Sequence, residues 1–333
     1  MPFTHIRGQR VAVDALTQAL SRGRAHHAYR FEGPEGVGKE MAALALAQAL
    51  VCVGGEALGC GICDACVRAV KFATERPHVP LHPDVIVIER NLYPPEVLGR
   101  SRPELVEISV DQVRKLVLGH AAYAPHEGRA RVILIRRAEE LSISAANALL
   151  KTLEEPRQSM HFVLLTSRPD KLLDTIRSRT LPVRFSPLPD EVVRDVLVAR
   201  GVAADRIEDA VALAAGSAAA ALDLADEEKT RTRDAFVQAA LDAVAARDLG
   251  PAVLLGEGVE RDREQLRRDL RALGSALARS ARASVADGDD AAAAGLAARR
   301  YQLVAEAVTN LEKNASPTLT VIALVTAMRD AVA

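Results

Sequence analysis

Residues 27–52 read HAYRFEGPEGVGKEMAALALAQALVC, and three signals follow one another along them. HAYRFEG is a short, mostly apolar run that predicts a β-strand. Gly33, Gly36, Gly38 and Lys39 then make a glycine-rich loop with the G-x-x-x-x-G-K spacing that wraps phosphates in backbone N–H groups. The Ala- and Leu-rich run KEMAALALAQALVC predicts the helix after the loop. Strand, glycine loop and helix in that order is the setting a phosphate loop requires. One residue breaks the pattern. The position after the lysine, where Ser or Thr holds Mg²⁺ through its hydroxyl, is Glu40. A carboxylate there lies beside a triphosphate, and two unit charges about 4 Å apart repel by roughly 4 kcal/mol at an effective dielectric of about 20.

Working outward, compact β-branched runs predict further strands at HPDVIVIE (82–89), at 132–135 within GRARVILIRRAEEL, at HFVLLTS (161–167) and at TLPVRF (180–185). Helical spacing of Val11, Val13, Leu16 and Leu20 predicts a helix over 10–22. SVDQVRKLVLGHAAY (109–123) predicts another, with Ser109 and Asp111 as N-cap candidates, and SISAANALLKTLEEP (142–156) a third, stopped by Pro156. Strands alternating with helices imply an α/β fold with a parallel sheet covered on both faces. From about residue 190 no convincing strand occurs. Ala-rich amphipathic helices fill the remainder, and ADGDDAAAAG (286–295) reads as a mobile loop. No internal repeat is visible.

The chain has 333 residues, 49% of them hydrophobic and only 3% aromatic, so its cores must be built from Ala, Leu and Val. With 43 basic and 44 acidic residues, a strongly basic, self-sufficient nucleic-acid binder is not expected. The first twenty residues hold no apolar h-region, so no secretory signal is expected, and no apolar run is long enough for a membrane span.

The strand at 132–135 would end the metal-holding half of an NTPase site with Asp and then Glu. Arg136 and Arg137 stand there instead, and neither ligates Mg²⁺. Taken as two independent lesions, Glu40 and Arg136 make hydrolysis at this site improbable. The loop is then kept for its backbone shape, which needs permissive glycines; weak nucleotide binding through Lys39 is the alternative.

All four cysteines, Cys52, Cys60, Cys63 and Cys66, fall within fifteen residues with the spacing C-x7-C-x2-C-x2-C. Such clustering in a chain without an export signal points to a metal in a reduced cytosol rather than to disulfides. Four thiolates would complete a closed tetrahedral Zn²⁺ site with no position for water, a structural site. An iron–sulfur cluster is the alternative.

In chain order the motifs are HAYRFEGPEGVGK, the cysteine cluster, HPDVIVIE, VDQVRKL, RVILI, NALLKTLEEP and Ser178-Arg179-Thr180. Together they resemble the AAA+ clamp-loader subunits of bacterial DNA polymerase III. The resemblance covers essentially the whole chain and is most specific from 25 to 185. The altered phosphate loop and strand end make the chain most similar to the delta prime type, which does not hydrolyse ATP. The resemblance implies an AAA+ core over 1–187 with a zinc module inserted at 52–66, a small helical lid over 188–230 and an all-α collar over 231–333. It implies that Arg179 is an arginine finger acting in trans on the ATP site of a neighbouring subunit; Thr180 departs from the family's Ser-Arg-Cys pattern. Thr166 matches the sensor 1 position, and Ala219 stands near the place where an ATPase carries the sensor 2 arginine. Arg114 matches a position that meets the template DNA backbone. The implied partners are gamma/tau ATPase subunits and delta in a heteropentamer and, through it, the sliding clamp and primer–template DNA. A cytoplasmic location, no membrane contact and no intrinsic ATPase follow. The rival is an active gamma/tau-type ATPase with the same fold and cysteines, against which Glu40, Arg136, Arg137 and Ala219 all stand. A zinc enzyme is the other rival, and four cysteines leave it no open coordination position.

Overall fold

The computed structural model describes residues 2–101, 107–121, 123–155, 159–259, 263–286, 291–312 and 315–331. Strand periodicity sets the sheet. In β1 (Ala28–Glu32), Tyr29 and Phe31 point to one face, with Ala28, Arg30 and Glu32 on the other. β1 is joined by β2 (Val85–Ile88), β3 (Arg131–Ile135), β4 (Met160–Thr166) and β5 (Leu181–Arg184) in one sheet of order β2-β3-β4-β1-β5, with every pairing parallel. β3 is buried at all five positions, as a central parallel strand covered on both faces must be. β5 carries Pro182, which cannot donate to a ladder and is tolerated because β5 is an edge strand.

Helix α1 (Arg10–Ser21) buries Ala12, Leu16 and Leu20, whereas Val11 is 84% exposed. The predicted stripe began one residue too early, because positions i, i+4 and i+8 share a face and Val11 lies about 100° off it. α2 (Lys39–Val51) begins at the glycine loop and is nearly all Ala and Leu. It packs with Tyr29, Phe31, Val132, Leu134 and Val163 in the core of one sheet face. On the other face, Ala28, Ile133, Ile135, Phe162 and Leu164 meet α4 (Val110–Val113) and α5 (Ile143–Glu154). Of the two cap candidates of α4 it is Ser109 whose hydroxyl accepts from the Gln112 N–H, and Ser142 caps α5 by accepting from the Ala145 N–H. α5 ends at Glu154, and Pro156 lies outside the described residues. Two elements were not anticipated. A short helix, α3 (Asp64–Val70), lies inside the cysteine cluster, and α4 runs on into a π-helical turn at Arg114–Leu118.

After α6 (Asp174–Arg177) and β5, helices α7 (Asp190–Ala199), α8 (Ala204–Leu213) and α9 (Ala218–Ala225) complete a first unit, Met1–Ala225. In the second unit, Asp226–Ala333, every element among the described residues is a helix. It holds α10 (Glu227–Ala245), α11 (Gly250–Gly258), α12 (Arg263–Ala286), α13 (Ala291–Glu312) and α14 (Pro317–Asp330), around a core that includes Leu266, Leu270, Val304, Val321, Leu324 and Met328. The loop expected over 286–295 is corrected in part: Ala291–Gly295 is already helix, since an alanine run is the strongest helix former. Residues 287–290 lie outside the described residues. No described helix is long and apolar enough to cross a membrane.

Candidate functional site

The glycine loop between β1 and α2 keeps its shape. Gly33, Gly36 and Gly38 have φ of 149°, 74° and 103°, values that favour glycine. Gly36 also meets the start of α9: its carbonyl accepts from the Ala218 N–H at 3.1 Å, and a Cβ on Gly36 would lie 2.2 Å from Ser217 Oγ. The loop therefore closes against the helix that carries Ala219. Gln9, which sequence reasoning passed over, is buried and ties this corner together. Its amide nitrogen donates to the Val37 and Ser186 carbonyls, and its oxygen accepts from the Ser186 N–H.

A cavity of about 700 Å³ opens beside the loop, lined by the segment Thr4–Arg7, the loop, the end of β4 with Thr166, and residues of α7 and α9. Loop residues 35–39, Arg136, Arg137, Thr166 and Ala219 all line it. Lys39, however, is buried and folds back on its own loop, donating to the carbonyls of Gly33 and Pro34. Burial lowers the pKa of its ammonium, against the pull of the Glu35 and Glu139 carboxylates. Glu139 is a further residue the motifs did not flag. Its side chain is buried at the cavity wall, with Oε1 accepting from the Ser167 N–H and hydroxyl and Oε2 without a hydrogen-bond partner among the described residues.

One expectation needs correction here. Glu40 and Arg136 are not independent changes. The Arg136 guanidinium bonds Glu40 through one arm and Glu89 through the other, the latter at 2.9 Å, and lies 5.8 Å from the centre of the Phe72 ring. Burial alone would lower the Arg136 pKa, but the two carboxylates outweigh it and hold it up. The carboxylate at the Mg²⁺-ligand position and the cation at the end of β3 are one ion-pair unit, so an internal cation shared with Glu89 offsets part of the charge that would otherwise repel phosphate.

Arg179 lies at the other end of the sheet. The cavity opens at the carboxyl ends of β1 and β4, whereas Arg179 precedes β5, and in parallel strands these are opposite edges. It does not line the cavity. Its guanidinium pairs with Glu154 at the end of α5, Nε to Oε1 at 2.7 Å, and donates to the Thr175 carbonyl at 3.0 Å. Arg114 is exposed at the start of the π-turn, whose closing bond runs from the Gly119 N–H to the Arg114 carbonyl.

The four cysteines converge. Sγ separations are 3.6 Å for Cys52–Cys60 and 4.0 Å for Cys52–Cys63 and Cys60–Cys66, and all four sulfurs lie within 4.8 Å of one another. A tetrahedron with metal–sulfur bonds of about 2.3 Å has edges of about 3.8 Å, so the set fits a metal ion such as zinc. The chain reaches this geometry because Cys52 ends α2, Cys63 caps α3 and Cys66 lies within it, with Gly55, Gly59 and Gly61 at positive φ between. The Cys60 N–H donates to Cys52 Sγ and the Cys63 N–H to Cys60 Sγ, which favours thiolates. Burial would keep Cys63 protonated, yet hydrogen bonds from the Cys66 and Val53 backbone bring it down to about 6, while burial pushes Cys66 up.

Residues 8–189, more than half the chain, match the family described as DNA polymerase III, delta subunit. The chain belongs to that family. Among its relatives are the gamma/tau subunit of DNA polymerase III from Mycobacterium tuberculosis, 35% identical over 59% of this chain and 30% of the relative. The delta prime subunit of Pseudomonas aeruginosa is 36% identical over 60% of this chain and 56% of the relative, and that of Bacillus subtilis 32% over 56% and 50%. The chain thus spans about a third to a half of the length of the relatives it matches. A gamma subunit-related protein from Thermotoga maritima shares the fold, with a TM-score of 0.51 over 95% of this chain at 16% identity. These relatives place the chain among the AAA+ clamp-loader subunits of DNA polymerase III, and they include both delta prime and gamma/tau types.

Proposed function

We propose that this chain is a non-hydrolysing, delta-prime-type stator of a DNA polymerase III clamp loader. The observation that carries the reading is the Glu40–Arg136–Glu89 unit. Mg²⁺ would have to be held by Glu40 and the end of β3, and an arginine already satisfies the one and replaces the other. A gamma/tau-type motor needs that metal to bridge and neutralise the phosphates. Cys52, Cys60, Cys63 and Cys66 would hold a structural Zn²⁺ that stabilises the module and supplies no reaction step.

The part of the chain that acts in catalysis is Arg179. Placed at the edge of the sheet opposite its own cavity, its guanidinium cannot serve that cavity, and it would exchange its Glu154 partner to reach a neighbouring subunit. There it would stabilise the charge developing on the transferred phosphoryl group. The helices at 188–230 would act as a lid, and 231–333 as a collar joining equivalent helices of ATPase and delta-type subunits. Exposed Arg114 would meet template phosphates. The test is a loader reconstituted from this chain with gamma/tau- and delta-type subunits, assayed for ATP turnover with clamp and primed DNA. Arg179→Ala should leave assembly intact and lower turnover in part, since trans arginine fingers contribute about 10³- to 10⁵-fold at a single site. An assembled Arg179→Ala loader with unchanged turnover refutes the reading.

A further inference from the structure

Arg30 sits in the middle of β1 and is 7% exposed, an unusual place for a cation. Its guanidinium makes three hydrogen bonds. Nε donates to Glu32 Oε1 at 2.6 Å, and Nη1 donates to the Arg177 carbonyl and to Thr180 Oγ1, both at 2.8 Å. Thr180 is also buried, and its hydroxyl passes its own proton to the Ile176 carbonyl at 2.9 Å. The strand that leads into the glycine loop is therefore bonded at its centre to both ends of the turn Arg177–Thr180, from which Arg179 projects.

The turn's other bonds are local or reach α5: the Ser178 N–H donates to the Asp174 carbonyl, the Arg179 N–H to the Ile176 carbonyl and the Arg179 guanidinium to Glu154, so Arg30 supplies its side-chain tie to β1. The turn links the four-residue helix α6 to edge strand β5, whose Pro182 stands opposite Arg30 in the register. Thr180 is the position at which the chain departs from Ser-Arg-Cys. A thiol is a weak acceptor, whereas a hydroxyl accepts a charge-assisted hydrogen bond and donates at the same time. The departure and the buried arginine make sense as a pair.

We propose that Arg30 and Thr180 are positioning residues for Arg179, fixing the height and direction of its turn against β1. This rests on the trans role given to Arg179 above. Because Arg30 and Thr180 are not among the cavity-lining residues, their effect is expected on the neighbouring subunit's site and not through the chain's own cavity.

The test uses the full chain in the reconstituted loader, with Mg·ATP turnover measured at saturating ATP beside primed DNA and clamp. A displacement of about 1 Å at a reacting centre costs roughly 100-fold. Thr180→Val, which keeps the shape and loses the hydroxyl, is therefore expected to remove most of the turnover that Arg179→Ala removes, with the KM for ATP and loader assembly unchanged. Thr180→Ser, which restores the hydroxyl, should restore turnover. Arg30→Met is the second variant and should repeat the Thr180→Val pattern. Thermal unfolding and co-purification of each variant separate lost positioning from lost folding, and a variant that fails to assemble is replaced by the other. Wild-type turnover in assembled Thr180→Val and Arg30→Met loaders, beside an impaired Arg179→Ala loader, overturns the positioning role alone. Wild-type turnover in Arg179→Ala overturns the finger on which it rests.

Discussion

Glu40 and Arg136 are 96 residues apart in the chain, and a double-mutant cycle tests whether they act as one unit. Glu40→Thr restores the hydroxyl of an intact phosphate loop. Its carboxylate is 46% exposed and Arg136 keeps Glu89, so the loss of stability is that of a surface pair, about 0.5 kcal/mol. Arg136→Asp is harsher, because it sets a third carboxylate beside Glu40 and Glu89. At separations of about 5 Å and an effective dielectric of about 40, each repulsion is roughly 1.5 kcal/mol, or about 3 kcal/mol together. Combining the two changes removes one repulsion, so the double variant should lose only about 1.5 kcal/mol, a coupling of about 2 kcal/mol. Urea unfolding followed by tyrosine circular dichroism suits the measurement. Of the four tyrosines, Tyr29, Tyr93 and Tyr123 lie in the unit that carries the pair, and only Tyr301 lies in the other. Calorimetry with ATP gives a second readout: Mg²⁺-dependent binding should emerge in the double variant and in neither single one. Stabilities that add to within about 0.5 kcal/mol would refute the ion-pair unit, and Mg²⁺-dependent ATP binding by the unaltered chain would refute the reading of the site.

Metal removal should act on folding. The purified chain is expected to carry one equivalent of metal, and a chelator or Cys60→Ser should lower its melting temperature; a metal-free chain that melts unchanged contradicts this. Asp84 is buried, accepts from the His126, Glu127 and Gly128 N–H groups and pairs with Arg131. Burial would raise its pKa, but these bonds win and lower it. Its contribution is therefore present above the ordinary carboxylate pKa of about 3.9 and is lost as pH falls through the lowered folded value. Asp84→Ala should cost about 3–5 kcal/mol at neutral pH and flatten the acid limb of stability, and an unaltered acid limb counts against it. Gly36→Ala places a Cβ 2.2 Å from Ser217 Oγ at φ +74°. It should cost about 1–3 kcal/mol and speed amide exchange at the start of α9, whereas unchanged exchange there would show that the contact is dispensable.

What the sequence settled was local. A strand, a glycine loop and a helix announce themselves by period and by residues with special backbone freedom. Four cysteines three to eight residues apart meet almost wherever the chain turns; the strand, loop and helix form where expected and the four cysteines converge. The same local logic failed by one residue at Val11 and at the alanine run after 290, where short patterns fit two assignments. The pairings that give the residues their meaning were beyond it. Glu40 and Arg136 each read as damage when taken alone, and nothing in the sequence singled out Arg30. Only the strand order β2-β3-β4-β1-β5 brings the end of β3 to the loop after β1, and the middle of β1 to the turn before β5. Complementary charges and hydroxyls carry no spacing signal. Their partners are chosen by which strands lie side by side, and that is decided when the sheet and its two apolar faces assemble as a whole.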